Sequence, residues 1–179
     1  MSRSLRTLAV ALLVLAGAAV GVLPASAAPA PCSPTGSSLP RVVPALGVAP
    51  LVAVRAGQHT CTDRVVFEVD GPVAGYDVRY VDRVVQDGSG AVVPVPGGAR
   101  LQVVLHHPAY DADGRPTWTG GVAVTGFRTL RSVVAAGSFE GYTTFGVGTR
   151  ARLPFRVTVL PGPGTHSRVV LDVAHRWGG

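Results

Sequence analysis

The chain has 179 residues, with 16 arginines and no lysine, 10 acidic residues and a formal net charge of +6 at pH 7. The charge is spread along the chain with no basic cluster, which excludes nucleic acid as the partner of an exported protein and suits an acidic polymer or a charged cell wall. Arginine without lysine is the usage expected of a GC-rich genome, which an actinobacterium would fit.

The first segment reads as an address. Arg3 and Arg6 form a basic head, the run "LAVALLVLAGAAVGVL" is apolar, and "PASAA" supplies small residues for cleavage after Ala27 or Ala28. This is the pattern of a secretory signal peptide over 1–27. A run of this length also approaches a membrane span, but Pro24 and the small residues directly after it favour cleavage. Cys32 lacks the aliphatic and small residues that precede a lipidated cysteine, so release to the envelope or the medium is expected.

Residues 28–50 are rich in Pro, Ala, Ser and Gly and are expected to form an extended leader. Cys32 and Cys61 are the two cysteines of the chain. In an oxidising compartment they admit one pairing, which closes a loop worth roughly 3.5 kcal/mol in the chain-entropy model.

From Leu51 to His175 a single domain is expected, followed by a short tail, 176–179. Valine is abundant, glycine and proline turns recur, and the alternation has period 2. "LVAVRAG" opens the domain. "RVVFEVDG" (Arg64–Gly71) places Val65, Phe67 and Val69 on one face and Val66 and Glu68 on the other. "GYDVRYVD" sets Tyr76, Val78 and Tyr80 against Asp77, Arg79 and Val81, and the short link "DGPVA" predicts a hairpin between these two segments.

"GAVVPVPGG" has the prolines of an edge strand. "RLQVVLHH" turns Leu101, Val103 and Leu105 inward. "GGVAVTGF", "SVVAAGSFEG", "YTTFGVG" and "PFRVTVL" continue the pattern, with a short helix admitted at "RTLRSVVAA". "PFRVTVL" and "RVVLDVAH" (Arg168–His175) form a hairpin through "PGPGTHS". The fold class that follows is all-β: an antiparallel sandwich of two facing sheets and about ten short strands. "RVVFEVDG" and "RVVLDVAH" nearly repeat one another, each with an apolar ridge and one acid, and are expected to lie centrally in the two facing sheets.

Catalytic signatures are missing. His106, His107, Asp111, Asp113 and His175 lack the spacings of a zinc hydrolase, and adjacent strand histidines point to opposite faces. "YDADGRP" has the start of a calcium loop but not its remainder; it reads as a polar turn and, as the longest polar interruption of the domain, is a candidate binding loop. No serine has a nucleophile-elbow context, and nothing brings Glu68 and Glu140 together as a glycosidase pair. The expected protein is not an enzyme and holds no metal or cofactor. Candidates for stacking on sugars or pairing with carboxylates are Tyr76, Arg79, Tyr80, Trp118, Arg128 and Arg156.

Three stretches, "DRVVFEVDGPVAGYDVRYVD", "VAAGSFEGYTTFGVGTRARLPFRVTVL" and "RVVLDVAH", together resemble the AMIN-like domain of exported actinobacterial proteins. That domain is related to the AMIN module of envelope N-acetylmuramoyl-L-alanine amidases. A strand of the form Arg, three hydrophobic residues, Asp closes the family pattern, and Arg168–Asp172 matches it. The resemblance implies a two-sheet β-sandwich that targets or binds the cell envelope, commonly its peptidoglycan. Gln86–Arg115 goes beyond the usual pattern, and no attached catalytic domain is expected. The expected function is a secreted, non-catalytic binding module for peptidoglycan or an associated wall polymer. The alternative is an interaction or inhibitory module acting on an exported enzyme.

Overall fold

The computed structural model describes Cys32 and residues 36–177. The expected signal peptide lies outside the described residues. Eleven strands follow one another: β1 (Arg41–Val43), β2 (Leu51–Gln58), β3 (Thr62–Val69), β4 (Tyr76–Val81), β5 (Val84–Val85), β6 (Val92–Val93), β7 (Ala99–Leu105), β8 (Leu130–Phe139), β9 (Tyr142–Thr149), β10 (Phe155–Pro161) and β11 (Ser167–Ala174). They pair antiparallel into a five-stranded sheet, β1-β4-β7-β9-β8, a four-stranded sheet, β10-β11-β3-β2, and a β5-β6 ribbon. The all-β sandwich expected from the valine alternation is the fold.

Alternation explains the core. Val65, Phe67 and Val69 of β3 and Val169, Leu171 and Val173 of β11 face inward, against Leu101, Val103 and Leu105 of β7 and Phe145 and Val147 of β9. Phe67 and Phe145 come from opposite sheets and meet with ring centroids 5.1 Å apart. Burying such rings contributes roughly 2–3 kcal/mol each.

The two near-identical strands are neighbours in one sheet, not centres of facing sheets. β3 and β11 pair with Val66 opposite Val170, Arg64 opposite Asp172 and Arg168 opposite Glu68. Antiparallel pairing reverses one copy, so a motif with Arg at one end and an acid four residues later is complementary to itself. The repetition therefore makes a cross-strand charge match as well as a core ridge.

Other expectations are corrected. β3 and β4 do not form a hairpin: β3 is enclosed by β11 and β2, so the link Asp70–Gly75 carries the chain to the other sheet. "RTLRSVVAA" contributes to β8 rather than to a helix, because β9 pairs with it from Leu130 onward, with register shifts at Leu130/Ser132 and Ala135/Gly137. "GGVAVTGF" is irregular. The expected leader contains β1, which extends the five-stranded sheet through β4, and Ser37 bridges Phe155. Cys32 and Cys61 form a disulfide with a Cα–Cα distance of 5.3 Å.

The chain beyond β4 covers the outer face of the five-stranded sheet. Val84 and Val95 pack with Ala136 there. Gly146 and Gly148 make this approach feasible, since a Cβ on Gly148 would lie 1.8 Å from the Pro96 carbonyl oxygen and one on Gly146 would lie 2.3 Å from Val95 Cγ2.

Candidate functional site

The outer face of the four-stranded sheet carries what the core cannot hold. Alternation places Arg64, Val66 and Glu68 of β3 and Arg168, Val170 and Asp172 of β11 outward, with Arg55 from β2 and Arg156 from β10 on the flanks. Four guanidinium groups thus share one face with two carboxylates.

The carboxylates are sunk and the arginines stand over them. Asp172 accepts a two-pronged pair from Arg64, Nε to Oδ1 at 2.7 Å and Nη2 to Oδ2 at 2.9 Å, and Arg156 Nη2 lies 3.4 Å from Oδ2. Burial pushes the Asp172 carboxyl up, but the hydrogen bonds and charge of Arg64, with those of Arg156, outweigh it and hold the group below its ordinary range. The same pairing raises the Arg64 guanidinium. Glu68 is bound by His166, whose Nδ1 donates to Oε1 at 2.7 Å, and by Arg55, and these two hold its carboxyl low.

The pairing leaves donors free. The Arg55 and Arg156 side chains remain 56% and 50% exposed, so each presents N–H groups outward while its charge is anchored below. A guanidinium has five donors in a fixed fork, and one carboxylate does not exhaust them. Chemically this surface can receive carboxylates or phosphates.

The six residues predicted from sequence are not brought together. Of these, Arg156 alone lies on this face. Tyr76 and Tyr80 pack against the core from β4. The Tyr80 hydroxyl donates to the Leu153 carbonyl at 2.8 Å and accepts from the Leu153 amide at 2.9 Å, its ring stands 5.8 Å from Phe155, and burial raises its pKa. Arg79 points out of the opposite sheet and pairs with Asp77. Trp118 packs edge-on against Phe145 at 5.3 Å and borders a pocket of about 380 Å³ with Tyr110. Arg128 is exposed in the segment before β8.

Sequence reasoning left out Arg55, Arg64, Arg168 and His166. The signal was present in the repeat: parity gives the face, and the Arg-to-acid spacing gives the pairing. His106, His107 and His175 do not converge either. His107 is enclosed, donating from Nδ1 to the Ala49 carbonyl at 2.8 Å and accepting from the Ala74 amide at Nε2 at 2.9 Å. His175 Nε2 lies 2.9 Å from the Asp63 carboxylate. Among the described residues no group of three or more His, Cys, Asp or Glu is arranged to hold a metal ion. "YDADGRP" closes on itself, with Asp111 Oδ1 accepting from the Asp113 and Arg115 amides.

The chain is a two-sheet β-sandwich whose four-stranded sheet carries paired, half-exposed arginines on its outer face. The family is more specific: the AMIN-like domain model matches residues 49–175, and the chain belongs to that family. No curated protein and no solved structure matches the chain. Family membership suggests a peptidoglycan-associated module of a generally non-catalytic kind, and with the disulfide it suggests an extracytoplasmic location.

Proposed function

We propose that this protein is a secreted, non-catalytic module that binds an anionic component of the cell wall, peptidoglycan or a polymer attached to it, through the outer face of the four-stranded sheet. One observation carries the reading: Arg55, Arg64, Arg156 and Arg168 stand on one face, and Arg55 and Arg156 expose half of their side chains while anchored to buried carboxylates. Such arginines are pre-oriented, so less side-chain freedom is lost on binding. Wall peptides present carboxylates, and associated polymers present phosphates. Both match a fork of donors.

The second reading, a module that contacts an exported enzyme, has support at the N-terminal side. Leu39, Val42, Leu46 and Val48 are 63%, 49%, 56% and 94% exposed along one segment, an apolar strip of the kind a protein partner covers.

Co-sedimentation of the purified protein with isolated sacculi across a salt series separates the two. Saturable pelleting at low salt that weakens as salt rises supports the wall reading, since screening acts on exposed charge pairs. Protein that stays in the supernatant at low salt contradicts it and favours the protein partner.

A further inference from the structure

The outer face of the five-stranded sheet holds a second site of opposite charge. A cleft of about 540 Å³ opens between the turn after β5 and the β8–β9 turn. Its lining includes Asp77, Asp87, His106, Phe139, Glu140 and Tyr142, and no arginine, in a chain with 16 arginines and only 10 acidic residues. Asp77 is matched by Arg79, and Asp87 accepts a hydrogen bond from the Thr144 hydroxyl. The charges of Asp87 and Glu140 have no cation beside them among the described residues.

Two further observations point to a ligand. His106 is only 8% exposed, and its Nδ1 lies 3.1 Å from the Ala45 carbonyl oxygen. A carbonyl can only accept, so Nδ1 carries a proton, and in that tautomer Nε2 is the nitrogen with the lone pair. That nitrogen has no hydrogen-bond partner among the described residues, and the ring, held edge-on to Tyr142 at 5.1 Å, forms part of the cleft lining. Glu140 is the one described non-glycine residue with positive φ, at 48°, in a two-residue turn with Gly141 at 84°. Such a turn favours Asn, Asp or Gly at that position, and a glutamate there is strained. The strain places a carboxylate at the rim.

We infer that this cleft binds a primary ammonium group on an alkyl chain, the free side-chain amine of the diamino acid in a wall peptide. Asp87 and Glu140 supply the charge, His106 Nε2 accepts an N–H, and Phe139 and Tyr142 flank the chain and the cation. The wall origin of the amine rests on the reading proposed above; the ammonium chemistry rests on the cleft alone. The arginine face and this cleft then read opposite charges of one polymer.

The test is a titration with 1,5-diaminopentane, followed by NMR at the His106 ring and the Glu140 and Gly141 amides, beside its diacetylated form. The diamine shifts these signals saturably and the neutral form does not. Glu140→Asn weakens binding at least tenfold while thermal stability stays equal or rises, so loss of folding does not explain the loss of binding. Equal response to the acetylated probe, unchanged affinity in Glu140→Asn, or response to zinc chloride but not to the diamine overturns the inference. Sacculi are then compared before and after acetylation of their free amines. Weaker pelleting after acetylation supports the wall origin. Pelleting indifferent to acetylation overturns it and leaves the arginine-face reading standing, whereas no pelleting at all, with the diamine still bound, overturns the wall reading itself.

Discussion

On the outer face of the four-stranded sheet, charge is paired across strands and left in contact with solvent. On the outer face of the five-stranded sheet, the chain after β4 covers part of the surface and three carboxylates line one cleft. The cause is local. β3 and β11 carry Arg and acid four residues apart, so three successive outward rows of the central pair are Arg64–Asp172, Val66–Val170 and Glu68–Arg168. β9 instead carries Gly146 and Gly148 outward, which admits Val95 and Pro96 against the sheet. One face is left ionic and open to solvent, and the other is partly covered and indented by a cleft.

Both faces depend on the same core, and the largest expected effect removes what they share. Phe145→Ala is expected to cost about 3–5 kcal/mol, because Phe145 is fully buried and packs on Phe67 and Trp118 at once. Denaturant unfolding checks this. A cost under about 1 kcal/mol would mean that the sheets are not held through these rings.

Removing one acid from each face sharpens the contrast. Asp172→Ala takes a buried carboxylate from beneath two arginines and is expected to cost about 3 kcal/mol. Asp77→Ala leaves a half-exposed Arg79 and is expected to change stability by less than about 1 kcal/mol. Equal costs would break the distinction between an anchored face and a solvated pair.

A glycine pair tests the cover. Gly148→Ala drives a methyl into the Pro96 carbonyl and is expected to cost about 1–3 kcal/mol by displacing the covering segment. Gly57→Ala on β2 meets nothing within 4 Å and is expected to be neutral or slightly stabilising. Thermal melts of the two variants decide it.

The smallest effects come from pH. Glu68 and Asp172 have lowered pKa values, so the stability they contribute is complete above the unfolded carboxylate range, about pH 4, and is lost as pH falls through their folded values. His107 is lowered by burial, so its contribution is present above the unfolded histidine value, about 6.5, and declines as pH falls below it. The melting temperature is therefore expected to fall in two stages on acidification. His107→Gln should remove the upper stage and leave the lower one.

Much of the fold was legible because alternation decides which side of a strand meets the core. Leu101, Val103 and Leu105 and the β10–β11 hairpin follow from period and turn chemistry alone. Sheet membership was not legible: β3 and β4 are joined by a link short enough for a hairpin, and only the competing partners of β3 exclude it. β8 was ambiguous because "RTLRSVVAA" has neither strict alternation nor glycine until Gly137. The site was legible by residue type but not by placement. Tyr76 and Tyr80 share parity with the buried Val78, so grouping them with Arg79 joined opposite faces of one strand. The arginine face required cross-strand register, which a single strand does not contain.

The most direct measurement is pelleting with sacculi at low salt of three proteins: the wild type, the doubly substituted Arg55→Ala, Arg156→Ala, and Arg128→Ala as an exposed arginine away from the face. The two face positions are half-exposed, so the double variant should remain folded by circular dichroism. The account predicts at least a tenfold loss of wall affinity for the double variant and none for Arg128→Ala. Equal affinity for all three proteins would contradict the assignment of wall binding to the four-stranded face.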